Sequence, residues 1–375
     1  MIMSHLTHIV KNKKHLELRF EIIRLIREWF WPQGFIEVET PIILRLPGQE
    51  PYLSPVKVAI HNEQGISFDG YLHTSPEYTL KKMLAAGFEK IFYLGKVFRD
   101  HESFGGTHNP EFTMIEWYRA REDFTAIMTD VEELWGFLVK SLSSKSEIRN
   151  PKSDLSAEAS AKEETNPNDQ NVLKFEHLNF GVVSDFEFRI SNFQRLHMRD
   201  VWQKYAGVNL DECLDREKMF ELCEKKGYKP KIDEPYEDLF YRIFLNEIEP
   251  HLGKERPTIL HHYPAPMAAL SRLSPADPRY AERFEVYVGG LELANCFGEL
   301  TDPDEQLKRL QNDRANRANL SRDVFGIDME FIEALHTMPP SSGIALGIDR
   351  LVQLFTGCKN IDDVVSLPMS QLFEG

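Results

Sequence analysis

The chain has 375 residues, 42% of them hydrophobic, and carries 59 acidic against 44 basic side chains for a formal net charge of −15. That size supports a substantial core, while the charge argues against a broad nucleic-acid footprint and leaves room for a small anion met by a few local arginines. No signal-peptide core and no run of ~18 apolar residues is present, and Cys213, Cys223, Cys296 and Cys358 have neither CxxC nor zinc spacing, so a soluble, cytoplasmic chain with free thiols and no membrane contact is expected.

In chain order, His15 to Trp31 places Leu18, Ile22, Ile26, Trp29 and Phe30 at helical spacing and reads as an amphipathic helix. GFIEVETPII follows as a strand closed by Pro41, and Pro-rich text from Leu46 to Pro55 as loop. Ser75-Pro76-Glu77 has the composition of a helix start, with serine as N-cap, proline in the first turn and an acid at the positive end of the dipole. Leu80, Met83 and Leu84 form the buried face, and Gly87 suits the end. Ile91 to Arg99 and Phe112 to Tyr118 are β-like, and the Gly105-Gly106 and Pro110 segment between them reads as the long, flexible tip of an antiparallel hairpin. Alternation puts Phe112, Met114, Glu116 and Tyr118 on one face of its second strand.

The stretch 141–171 has Leu142, Ile148 and Leu155 as its large apolar residues and no aromatic. It reads as a mostly disordered surface insertion in one catalytic domain spanning 1–375. Helical text runs through 191–250, with strands at Thr258 to Tyr263 and Arg283 to Val288. Gly289-Gly290 turns the latter into LELANCFGEL, a polar helix covers Asp304 to Asn319, and SSGIALGIDRLVQLF is a strand leading into a helix. The expected fold is α+β, an antiparallel sheet flanked by helices.

No GxxxxGK[ST] or GxGxxG fingerprint occurs. Arg99 at a strand end can clamp a phosphate, or simply form a surface salt bridge. Glu77 can receive an ammonium while Ser75 caps the helix, and Glu116 with Tyr118 suits a cationic amine if their face lines a cleft. Glu292 and Glu299 flank Asn295 and suggest Mg²⁺, yet in an unbroken strand they would point to opposite faces ~23 Å apart. Convergence requires a bend or strand end near Gly298. Gly343 and Gly347 permit close approach to a flat ligand on which Arg350 can stack. His261-His262 reads as an ordinary strand pair.

The order of these segments resembles the catalytic domain of lysyl-type class II aminoacyl-tRNA synthetases, and most closely the truncated lysyl-tRNA synthetase paralogues that modify elongation factor P. RFEIIRLIREWF...GFIEVETP is similar to motif 1, FRDHESFGGTHNPEFTMIEWY to motif 2 and SSGIALGIDRL to motif 3, with TSPEY and ERFEVYVGGLELANCFGEL between them. The similarity covers nearly all of the chain from about residue 15, apart from 141–171.

This resemblance implies ATP and Mg²⁺ as cofactors, a lysine-type amino acid and elongation factor P as substrates, and a homodimer through 15–41. It assigns Arg99 and Arg350 to catalysis at the phosphates. Asp100, either His101 or Glu102, Asn109, Phe112, Glu292, Leu293 and Gly347 are assigned to ATP, and Glu292 and Glu299 to the metal. Ser75, Pro76, Glu77, Glu116, Tyr118, Asn295, Glu299 and Ala345 fall in the amino-acid pocket.

The reaction implied is attack of a substrate carboxylate on the ATP α-phosphorus, then transfer of the acyl group to an acceptor amine. Motif 1 begins without an anticodon-binding barrel before it, so no stable tRNA binding is expected. Ala345 stands where lysyl-tRNA synthetases usually have glycine, which favours a β-amino acid. The chain departs from the family in one extra residue between Arg99 and His108, in Cys296 after Asn295 and in Gly298 before Glu299. A lysine-activating enzyme acting on tRNA or another amine, and a silent synthetase-like regulator, are the alternatives. Retention of Arg99, Glu292, Glu299 and Arg350 argues against silence.

Overall fold

The amphipathic segment forms helix α1, Lys13–Phe30, with Ile22, Ile26 and Phe30 fully buried on the predicted face. The computed structural model describes residues 5–149, 172–173, 188–189 and 193–373. After α1, the expected strand is reduced to a two-residue edge, β1, Ile36–Glu37. Helix α2 is Glu77–Ala85. The hairpin consists of β2, Lys90–Phe98, and β3, Glu111–Ala120. Helix α3, Phe124–Arg149, continues into the segment expected to be a disordered insertion, where Leu142 is still buried in the core. Residues 150–171 of that expectation lie outside the described residues.

The region expected to be helical throughout contains an edge strand, β4, Gln194–His197, before α4, Tyr236–Ile243. Then follow β5, Thr258–Pro264; β6, Tyr280–Val288; β7, Leu291–Gly298; α5, Pro303–Asn319; β8, Ser341–Gly347; and α6, Ile348–Thr356.

Eight strands make one sheet in the order β1-β2-β3-β8-β7-β6-β5-β4, antiparallel except for the outermost pairs β1/β2 and β5/β4. One face is covered by α1, α3 and α6. There Phe92, Ile115, Trp117, Phe284, Ile344 and Leu346 pack against Phe30, Leu138 and Val352, the burial of each large side chain contributing roughly 1.5–3 kcal/mol. The ion pair between Arg19 of α1 and Asp349 of α6 ties this layer together. Arg19 also donates to Thr113 Oγ1 at 2.7 Å, and Asp349 accepts the Thr113 amide at 2.9 Å.

The opposite face carries the second residue of each alternating pair, including Glu116, Tyr118, Asn295 and Ala345. It forms the floor of a cleft of about 1140 Å³, walled by α2, α4 and α5. In the sheet, Ala345 pairs with Glu116 on one side and Asn295 on the other, so three neighbouring strands each place one small or polar side chain at the same level.

Candidate active site

The cleft has two chemically different ends. At one end, Glu116 of β3 is buried beneath Ser75, whose hydroxyl donates to Oε1 at 2.6 Å, and beside Tyr118, whose hydroxyl donates to Oε2 at 3.1 Å. Burial, reinforced by the nearby Glu77 charge, pushes the Glu116 carboxyl up to about 8 despite these two donors. Ser75 also accepts the Glu77 amide at 3.0 Å, although the residue at the helix boundary is Pro76. One hydroxyl thus serves the helix start and the pocket.

Sequence reasoning missed Lys81, one helical turn after Glu77. Its side chain is fully buried, and its ammonium lies 2.6 Å from Glu77 Oε1 and 2.6 Å from Glu299 Oε2. The i, i+4 spacing from Glu77 was the available signal. Asn295 faces the same end and accepts from Arg283 Nε at 3.2 Å.

Gly343 explains how Tyr118 fits. A Cβ at position 343 would stand 2.1 Å from Tyr118 Cε1, so the ring occupies the space that any other side chain would need.

At the other end, Arg99 follows the last residue of β2 and lies over the Phe112 ring, 5.1 Å from its centroid. Its Nε is buried and has no hydrogen-bond partner among the described residues. Burial draws the guanidinium pKa down, and the charges of Glu102, Glu50 and Glu292 oppose that shift. A buried guanidinium with unused donors is suited to an anionic ligand. Arg350 of α6 donates to the Glu292 carbonyl at 2.9 Å, lies 3.0 Å from His108 Nε2, and has Glu292 Oε2 at 3.8 Å.

Of the two candidates at the hairpin tip, Glu102 lines the cleft. His101 is largely exposed, with φ of +62° and its ring 3.9 Å from Asp100. Asp100, His101 and Pro76 do not line the cleft; Asn109, Phe112, Leu293, Ala345 and Gly347 do. Asn109 spends its amide on the Glu111 carbonyl and receives the Met369 amide on its oxygen. The tip expected to be flexible is anchored: Gly106 N donates to Asn360 Oδ1 at 3.0 Å, and Gly106 O accepts from Ile361 N at 2.8 Å.

The proposed metal pair is arranged differently from expectation. Glu292 and Glu299 do share the cleft face, through a bulge at Leu293, and the strand ends at Gly298 as expected. Val286 pairs with Ala294 and Tyr287 with Glu292, leaving Leu293 as an extra residue whose side chain joins Ala294 in the core. The two carboxylates serve opposite ends, however. Glu299 is held by Lys81, with Glu77 and Glu116 nearby, whereas Glu292 has Glu285, Arg350, Arg283 and Arg99 as its charged neighbours.

Glu285 was also missed. It accepts from the Tyr263 and Tyr287 hydroxyls at 2.6 Å each and from Arg283 at 2.7 Å. The strand alternation of Arg283, Glu285 and Tyr287 was its trace in the sequence. Among the described residues no group of three or more His, Cys, Asp or Glu is set to hold a metal ion by protein ligands alone, and this includes His261 and His262.

A family profile described as tRNA synthetases class II (D, K and N) matches residues 5–371. Among curated proteins, the chain is 34% identical over 358 residues to the elongation factor P–(R)-β-lysine ligase of Haemophilus influenzae strain Rd, covering 94% of each chain. It is 36% identical over 357 residues to the protein of that name from Yersinia enterocolitica, again covering 94% of each. The corresponding Hamiltonella defensa protein is 35% identical over 356 residues, with the same coverage.

Proposed function

Because the chain belongs to the class II tRNA synthetases of the D, K and N type, alongside the elongation factor P–(R)-β-lysine ligases, we propose that it activates (R)-β-lysine with ATP and transfers it to a lysine of elongation factor P. The observation that carries this reading is the division of one cleft into an end with two arginines, Arg99 and Arg350, and an end ringed by Glu77, Glu116 and Glu299. An acidic protein holds a nucleotide in this way because its positive charge is concentrated locally.

In the first half-reaction, the ammonium groups of the amino acid lie against the carboxylates of the acidic end, while Ser75 and Tyr118 fix Glu116. The substrate carboxylate is thereby aimed at the α-phosphorus of ATP. Arg99 and Arg350 take up negative charge on the phosphates, with the adenine near Phe112 and Asn109 and Glu102 closing the nucleotide side. No protein nucleophile is needed, since catalysis is positioning and charge stabilisation.

Glu292 fits a Mg²⁺, because the ion favours one or two carboxylates plus phosphate oxygens and this carboxylate lies beside Glu285 at the arginine end. Glu299, paired with Lys81, is assigned to the amine instead. When bound, the metal would neutralise charge on the ATP phosphates and departing pyrophosphate.

Ala345, between Glu116 and Asn295, adds a methyl group to the pocket floor, and its bulk supports a β-amino acid over α-lysine. The exposed Phe20, Trp31 and Ile36 support a homodimer through the 15–41 region, which light scattering would register. A single catalytic domain acting in the cytoplasm, without stable tRNA binding, completes the reading.

The test is incubation with ATP, Mg²⁺ and (R)-β-lysine in the presence of elongation factor P or tRNA. A lysine-sized mass gain on the factor is expected; label on tRNA alone would refute the proposal.

A further inference from the structure

The loop 48–54 reaches the cleft from outside the sheet and is bonded at almost every residue. Arg317 of α5, itself buried, donates to the carbonyls of Glu50 and Leu53 at 2.7 Å each. Arg322 donates to the Tyr52 carbonyl at 3.1 Å and to Ser54 Oγ at 2.9 Å. Gln49 donates to the Gly326 carbonyl at 2.9 Å, and the Ser54 carbonyl accepts the Asp100 amide, next to Arg99, at 2.7 Å. Across the cleft, the Tyr52 hydroxyl donates to Asp238 at 3.0 Å.

Glu50 lines the cleft together with Pro51, Tyr52 and Leu53, and is the carboxylate among them. Its carboxylate folds back over Gly48, where a Cβ would come within 2.2 Å of Oε2, so glycine is required there for Glu50 to keep its position. Among the described residues no side chain donates a hydrogen bond to it. Its charged neighbours include Glu77 of the amine end and Arg99 of the phosphate end. Glu50, Glu77 and Arg99 line the same cleft, so Glu50 belongs to the wall that joins the end assigned to the amine and the end assigned to the phosphates. The deep pocket already holds three carboxylates for the bound amine, Glu77, Glu116 and Glu299, whereas Glu50 lies on a separate loop of the cleft wall and is half-buried.

We propose that Glu50 is the proton acceptor for the incoming acceptor amine in the second half-reaction. This rests on the aminoacyl transfer proposed above. The acceptor arrives as an ammonium and gives one proton to the Glu50 carboxylate. The freed nitrogen lone pair attacks the acyl carbon of the adenylate and forms the C–N bond. The bond from that carbon to the phosphate oxygen breaks, its electron pair leaving with AMP. The second ammonium proton, shed as the amide forms, is taken by the departing phosphate, and Glu50 releases its own to solvent.

The surroundings suit the task. Burial and Glu77 raise the Glu50 carboxyl from its ordinary value, while a backbone hydrogen bond, Arg99 and Arg317 hold it back. Tyr78 and Asp313 are the other titratable groups that sense it. An upward shift makes a carboxylate a stronger base than it is in water.

The test compares Glu50→Gln with wild type in three assays on the full chain. These are pyrophosphate exchange with (R)-β-lysine, single-turnover transfer from preformed adenylate to elongation factor P, and transfer to hydroxylamine, a nucleophile already neutral at pH 7. Exchange and hydroxamate formation are expected to stay within about twofold of wild type, while transfer to the factor falls roughly 100-fold or more. The variant's transfer rate should then climb about tenfold per pH unit below the acceptor's pKa as free amine increases, with Glu50→Asp recovering part of the loss.

A Glu50→Gln loss shared equally by all three assays, or a raised KM for (R)-β-lysine in exchange, would make Glu50 a substrate-binding residue and overturn the role. Wild-type protein that makes hydroxamate but leaves the factor unmodified would remove the proposed acceptor, and this role with it.

Discussion

Replacing Glu116 with glutamine should stabilise the fold and damage the proposed binding of the amine. The carboxyl is buried, and its pKa rises from 4.5 to about 8 on folding. A raised carboxyl favours the folded state fully only below its unfolded pKa, and that contribution is lost as pH rises toward the folded value. Each pH unit in the window is worth ~1.4 kcal/mol, so the penalty is on the order of 3 kcal/mol at pH 7 and about 5 kcal/mol above pH 8.

Glutamine keeps the shape and can still accept from Ser75 and meet Tyr118, but it carries no charge to desolvate. Urea unfolding of both proteins at pH 4.5, 7 and 8.5 should therefore give curves that nearly coincide in acid and separate with increasing pH, the variant being the more stable. In pyrophosphate exchange the same variant should show a raised KM for (R)-β-lysine. A stability difference independent of pH, or a variant less stable than wild type at pH 8.5, would refute the reasoning.

Lys81→Met leaves Glu77 and Glu299 without their shared buried counter-ion and should cost about 3–5 kcal/mol in urea unfolding at pH 7; Glu77→Gln in the same chain should return part of it. Gly343→Ala drives a methyl group into Tyr118 and breaks its bond to Glu116. The KM for (R)-β-lysine should rise about tenfold with the KM for ATP unchanged, and a change confined to ATP would count against the pocket assignment. Ala345→Gly should improve α-lysine activation relative to (R)-β-lysine by roughly 10- to 200-fold in pyrophosphate exchange, and unaltered selectivity would separate Ala345 from substrate choice.

The elements that could be read from the sequence are those whose signal is local. The 3.6-residue stripe of α1, the alternation of β3 and the glycine-bearing turn from β8 into α6 each state their own burial pattern. The strand Gln194–His197 has no such pattern, because it lies at the sheet edge and owes its conformation to parallel pairing with Thr258–His261. The same distinction runs through the site. Arg99, Glu77, Glu116 and Tyr118 lie in contiguous, recognisable text. Lys81 acquires meaning only when β7 brings Glu299 to α2, and Glu50 only when Arg317, 267 residues away, holds its loop.

The Glu292 and Glu299 pair shows the physics most directly. Counting along a regular strand puts seven-residue neighbours on opposite faces, yet one bulged residue, Leu293, returns them to the same face. Charge then decides the partners of each. Glu299 finds the buried ammonium of Lys81, and Glu292 finds two arginines and Glu285. A chain of net charge −15 can keep an arginine-bearing end and a carboxylate-bearing end in one cleft because β7 runs between them, with Glu292 near its start and Glu299 directly after its last residue, Gly298.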